Sequence, residues 1–320
     1  MPGFVYLILI SSTACLVMSS SPSLAFMSGI IWGISLLLGG YFTSRNNMLL
    51  IFALNMLLLY GLAGSSNLFF LLIFGMPSFI MGLLLAAQKG YYELQKWGLV
   101  SALLLVSIFI GLTYYNAGDV SGNILQTEIN LYIEDSVKVA EDRGLLEFYE
   151  QQGISPEEME NSLAGAAHWF LMHLPALYYL QSILAVFLVL TLSSYISRKK
   201  NLPILTHKPF VEEIMPWQFV WVIIIALALW LWGRDQMTNM YYVGSNLLVI
   251  AAPVTLYYGL SSLKYQWWRM TPRGRRWALG IFIINILVFT LPATIFIGIW
   301  GLFDSLLDYR KLSHKKEETR

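Results

Sequence analysis

The sequence predicts an all-α, polytopic membrane protein, and three observations carry that prediction. Hydrophobic residues make up 57% of the 320-residue chain, whereas charged residues make up only 12%, about half of the roughly 25% usual in soluble domains. Apolar runs of about twenty residues, the length that spans a hydrocarbon core, recur along the chain. These runs are continuous in polarity, which argues against a transmembrane β-barrel.

The runs fall near 3–19, 24–42, 48–64, 67–87, 97–115, 166–196, 217–233, 240–263 and 277–303. Together they predict about nine to ten membrane segments. The first run imitates a secretory leader but lacks a basic first region, so it reads as a membrane helix. The chain then divides into five amino-terminal segments (1–115), an acidic insert (116–165), the carboxyl-terminal segments (166–312) and a short basic tail (313–320).

Charge sets the orientation. The insert holds eleven acidic residues against Lys138 and Arg143, while the rest of the chain holds eighteen basic and eight acidic residues. Arg45, Lys89 with Lys96, Arg198-Lys199-Lys200 with Lys208, and Lys264 with Arg269, Arg273, Arg275 and Arg276 lie in alternating loops. Placing these loops in the cytoplasm puts the insert outside and the amino terminus inside. The expected location is a bacterial cytoplasmic membrane.

The carboxyl end fits this scheme only if the last run reverses. Pro292 lies near its middle, and a proline there breaks a helix. The expectation is a short hairpin at Pro292 with both termini cytoplasmic. The alternative is a single span whose basic tail lies outside.

Within the insert, Leu125, Ile129, Ile133, Val137 and Ala140 recur at helical spacing. Ser155, Pro156 and Glu158 form the signature of a helix start with a capping box. That helix is expected to run unbroken past His168 into the sixth segment. The insert reads as a helical cap over the outer mouth of the membrane domain. An interfacial helix is disfavoured because such helices carry Lys and Arg towards lipid.

Function is harder to read. No Asp, Glu, Lys or Arg lies mid-span in the first eight segments, which counts against a proton- or ion-coupled pump. His168 and His173 are five apart and do not share a helix face for one metal. No phosphate-binding loop, nucleophile elbow or metalloprotease helix appears. The expectation is therefore no enzyme, no metal, no cofactor and no nucleic-acid partner.

Several residues remain as candidates. Asn55, Gln181, Asn246 and Asn285 are polar groups within apolar segments, where interhelical hydrogen bonding is the commoner role. Pro77, between Gly75 and Gly82, interrupts the fourth segment, as helices bordering a transporter cavity often are. Tyr178 and Tyr179 lie deep enough to line an apolar pocket, and His173 lies near its outer mouth. The candidate cavity lining is thus Asn55, Pro77, His173, Tyr178, Tyr179, Gln181 and Asn246. Ala25, Gly29 and Gly33 form a small-residue stripe, a candidate docking face whose competing role is internal packing. In GLFDSLLDYRKL (301–312), Asp304 and Asp308 lie one turn apart. With Arg310 and the cluster Arg273, Arg275 and Arg276, they are expected to form a structural latch between the tail and the preceding loop.

FGMPSFIMGLLL (74–85), HLPALYYLQSIL (173–184), MPWQFVWV (215–222) and, most specifically, GLFDSLLDYRKL resemble the YybS-like family of bacterial multi-pass membrane proteins. The family's last motif usually carries an aromatic residue where Leu306 and Leu307 stand. More remotely, the pattern is similar to substrate-binding subunits of energy-coupling-factor transporters and to MreD-like envelope proteins. That resemblance implies a compact helical core and, in the first case, docking to a coupling subunit through small-residue stripes. The two functions it suggests are a substrate-binding, transport-type subunit for a small, partly apolar solute and a membrane scaffold of the cell envelope or division machinery. Expected partners are the lipid bilayer, a small-molecule ligand, and a membrane or cytoplasmic protein.

Overall fold

The computed structural model describes residues 2–63, 68–116, 155–200, 205–235 and 239–310. They are almost entirely helical. The helices are α1 (Pro2–Ser20), α2 (Ala25–Phe42), α3 (Arg45–Ala63), α4 (Met76–Ala86), α5 (Tyr91–Asn116), α6 (Pro156–Met172), α7 (Leu174–Lys199), α8 (Gln218–Gly233), α9 (Asn239–Arg269), α10 (Pro272–Val288) and α11 (Thr290–Leu307). A π-helical turn, Leu71–Gly75, runs into α4, and a 3-10 turn, Phe210–Glu212, lies between α7 and α8. Six of the described helices are long and apolar enough to cross a membrane (in α2, α3, α5, α7, α9 and α11). Their outward faces carry large apolar side chains, such as Leu57, Tyr60, Leu104 and Leu291, as a chain solvated by hydrocarbon requires.

The helices pack as two groups. Helices α1 to α5 and α7 form the first, with α2 at its centre against α1, α4 and α7. Its interior holds Trp32, Leu36, Leu37, Phe74, Met81, Leu85, Leu94 and Leu190, all sealed from solvent. Helix α9 forms the second with α8 and α11, and α7 joins the two by packing on α9.

Close backbone approach needs small residues, and they are where the helices meet. A Cβ on Gly29 would fall 2.7 Å from the Phe74 ring, and one on Gly33 would fall 2.6 Å from Ser78 Oγ and 2.7 Å from Val189. Ala25 is buried as well. The stripe offered by the sequence for docking a partner is therefore occupied by this chain's own π-turn, α4 and α7. The second group uses Gly259, Gly298 and Gly301 in the same way: a Cβ on Gly301 would lie 2.7 Å from Thr255 O.

The last two helices do reverse. Thr255 faces Gly298, Gly259 faces Gly301, Ser262 meets Trp300 and Tyr265 meets Arg310, so α9 and α11 run in the same direction. Helix α10, about 25 Å long at 1.5 Å per residue, must carry the chain back between them. The turn is not at Pro292 as expected. It is at Phe289, with φ −126° and ψ 49°. Pro292 instead sits in the first turn of α11, where its missing N–H is not required.

The helix predicted to continue through the sixth segment is interrupted. The capping box forms as expected, with Ser155 Oγ accepting from Glu158 N at 3.2 Å and Glu158 Oε2 accepting from Ser155 N at 3.1 Å. The helix then passes His168 and ends at Met172, and α7 restarts at Leu174. Pro175 causes the break, because it has no N–H and its ring crowds the carbonyl four residues earlier. The cap proposed for 116–165 lies mostly outside the described residues, as does the tail 313–320.

Candidate functional site

The basic loops gather at one end of the bundle. Lys200 lies over the Phe42 ring at the end of α2, and Arg198 donates towards His207 O. Tyr92, at the start of α5, accepts from Lys208 N at 3.1 Å and donates to Glu213 Oε1 at 2.9 Å. Lys264 lies over Phe210. The segment 205–216 is thus gripped from α5, α7 and α9. Ser194 Oγ donates to Leu205 O at 2.6 Å, and Ser261 Oγ is shared between Phe210 O and Glu213 O.

The tail completes this grip. Asp308 ends α11 in the left-handed region, φ 43° and ψ 51°, with its N–H on Asp304 O at 3.0 Å. That turn brings Arg310 back under the helix. Its guanidinium donates four hydrogen bonds, from Nε to Asp304 Oδ2 at 2.9 Å, from Nη2 to Glu213 O at 2.7 Å, and from Nη1 to Val211 O at 2.7 Å and Ser261 Oγ at 3.0 Å, and Nη2 also lies 2.6 Å from Asp304 Oδ2 as an ion pair. Asp304 Oδ1 is buried with no hydrogen-bond partner among the described residues. The latch is therefore built differently from the expected one. Asp304 takes Arg310, not the 273–276 cluster, as its cation. Arg275 instead closes the end of α9, donating to Trp267 O at 3.1 Å and Trp268 O at 2.8 Å. Arg273 and Arg276 are exposed, and Asp308 serves as the helix-ending residue.

A second polar joint holds the break between α6 and α7. Asn246 on α9 accepts from Ala176 N at 3.0 Å and donates to Met172 O at 2.8 Å. One side chain therefore serves both the open carbonyl before the break and the open N–H after it. His173 Nδ1 lies 2.8 Å from Trp169 O, and its Nε2 lies 3.1 Å from Ser245 Oγ. Its ring stacks on Trp169 at 4.5 Å. His168 takes no part in this joint.

The candidate cavity residues are distributed among several contacts. Asn55, fully buried on α3, accepts from Ser11 and Ser12 of α1, each at 3.4 Å. Pro77 is packed at the start of α4 beside the π-turn, which absorbs the hydrogen bond that proline cannot make to the carbonyl of Ile73. Tyr179 shares a 2.7 Å hydrogen bond with Ser107. Tyr178 joins an aromatic cluster, 5.3 Å from Phe69 and 5.7 Å from Phe109, with Phe69 and Phe109 themselves 5.2 Å apart. Gln181 is half-buried on α7, and Asn285 donates to Ile281 O within its own helix.

Sequence reasoning missed Ser261, Ser245 and the carbonyls of Val211 and Glu213. The serines carried a weak signal as hydroxyls in a long apolar helix. The carbonyls carried none. Among the described residues no cluster of three His, Cys, Asp or Glu could hold a metal ion.

Residues 8–305 match the model of a family described as "Predicted membrane protein (DUF2232)". No curated protein and no solved structure matches the chain.

Proposed function

The chain belongs to the DUF2232 family of predicted membrane proteins, and from that premise we propose that it is a substrate-binding, transport-type subunit for a small, partly apolar solute. One observation carries this reading: two interruptions of helix geometry flank a single aromatic cluster. Phe69 stands just before the π-turn Leu71–Gly75, and Tyr178 stands five residues after the break at His173. Interrupted helices often border the binding cavity of a transporter, and here the two interruptions bring Phe69 and Tyr178 into one cluster. Aromatic faces with one phenol suit a flat, mostly apolar solute with a polar edge. The role is binding rather than catalysis, and a separate subunit would supply energy.

In this reading the basic end faces the cytoplasm of a bacterial inner membrane, and residues 116–165 lie outside. Support comes from the convergence of the alternating basic loops on segment 205–216. The carboxyl end is then cytoplasmic, because α11 returns to the same end as the close of α9, and the charge pattern puts the amino terminus on the same side.

Purified protein should carry a small molecule that mass spectrometry can release, or should melt at a higher temperature with members of an aromatic solute panel. Tyr178→Ala should abolish that shift. A protein with no co-purifying molecule and no thermal response refutes the reading.

A second reading, a scaffold of the envelope or division machinery, is favoured by that same basic end, which offers several cationic loops to an acidic cytoplasmic protein. Crosslinking from residue 208 in cells separates the two: recovery of one defined protein, abolished by neutralising Lys208 and Arg198, favours the scaffold.

A further inference from the structure

We propose that the corner between α9 and α10 is a binding site for an anionic glycerophospholipid, with its phosphodiester on Arg273 and Arg276 and its acyl chain along α10. The site is built by the way α10 begins. Thr271 Oγ1 accepts from Gly274 N at 3.3 Å and Pro272 occupies the first turn, which fixes the helix start beside the end of α9. Arg275 turns back to the α9 carbonyls, with Gly274, Arg275 and Ala278 half-buried on that side. Arg273 and Arg276 therefore project on the opposite side. Both are exposed, and neither makes a hydrogen bond or ion pair with a described residue.

The same face continues into hydrocarbon. At 100° per residue, Arg273, Arg276, Trp277, Gly280, Ile284 and Leu287 fall on one side of α10. Trp277 is 73% exposed, Ile284 60% and Leu287 76%. Gly280, one turn below Arg276, has nothing within 4 Å of where a Cβ would stand. It leaves the helix backbone open in the apolar track between Trp277 and Ile284, where the acyl chain lies in this proposal. Trp268 and Trp277, which precede and follow the arginines in sequence, are both exposed, as ring residues are at the headgroup level. Two guanidinia with no partner among the described residues, above an exposed apolar face, match one ligand chemistry: a phosphodiester headed by glycerol and tailed by acyl chains. A neutral zwitterionic lipid offers the tails without the net charge, and a soluble phosphate offers the charge without the tails.

The test uses full-length protein in detergent, titrated separately with phosphatidylglycerol, phosphatidylcholine and glycerol 3-phosphate, with retained lipid counted by native mass spectrometry. Phosphatidylglycerol should be retained in preference to phosphatidylcholine. Arg273→Gln and Arg276→Gln should each weaken that preference roughly fivefold. Gly280→Leu should lower phosphatidylglycerol retention while the melting temperature stays unchanged. Lys89→Gln with Lys96→Gln, on another loop, should leave the preference intact. Equal retention of the two lipids overturns the proposal. So does full competition by glycerol 3-phosphate, which would identify a free-anion site, or an equal effect of the Lys89 and Lys96 changes, which would identify general surface charge.

Discussion

Arg310 Nη2 lies 2.6 Å from Asp304 Oδ2, and the two side chains are 0% and 3% exposed. An ion pair so deeply withdrawn is costly to desolvate, and it persists only where geometry and further hydrogen bonds compensate. Here the compensation is the backbone of segment 205–216. Arg310 fastens the end of α11 to Val211 O and Glu213 O, joining two parts of the chain about a hundred residues apart.

Removing one partner should therefore cost more than removing both. Asp304→Asn and Arg310→Met should each destabilise the protein by about 3–5 kcal/mol, seen as lost monodisperse yield in detergent. The double variant should recover part of that loss. Additive losses would contradict the coupling.

Arg310→Lys tests the fork itself. An ammonium has three donors and no plane, so it cannot serve Asp304, Val211, Ser261 and Glu213 together. The melting temperature should fall nearly as far as in Arg310→Met. A wild-type melting temperature would show that charge alone suffices.

Asp308 should be sensitive to the shape of the residue that replaces it. Its φ of 43° is a conformation that glycine adopts without strain. Asp308→Val should lower the melting temperature by more than Asp308→Asn, because a β-branched residue enters that region only under strain whereas asparagine tolerates it.

Asn246→Leu should orphan Ala176 N–H and Met172 C=O at the α6–α7 break. The expected cost is about 1–3 kcal/mol for each group left buried and unpaired. Hydrogen exchange should show faster opening at 173–177. Protection unchanged there would mean that the break is held by packing alone.

Gly29→Leu or Gly33→Leu should abolish folded yield, because Phe74, Ser78 and Val189 already fill the space. Normal yield with loss of a bound protein partner would instead restore the stripe to a docking role.

The hydrophobic pattern alone made the chain a polytopic helical membrane protein, because backbone groups in hydrocarbon must bond within a helix. Local chemistry was equally legible. The capping box at Ser155 is written in four consecutive residues, and the interruption before α4 follows from Pro77. The alternating basic loops marked residues that do meet at one end of the bundle.

Partners were decided by tertiary structure. On a continuing helix, Arg310 would lie about 240° around from Asp304, facing away. The two meet only because Asp308 ends the helix and turns the chain back. Arg310's other acceptors are mostly main-chain carbonyls, identical at every residue and invisible to pattern. Likewise, Ala25, Gly29 and Gly33 announce a close approach but not whose helix approaches; Phe74 and Val189 fill that face only once α4 and α7 have packed. Sequence periodicity assigns a residue to a face of its own helix. What that face meets depends on the packing of every other helix.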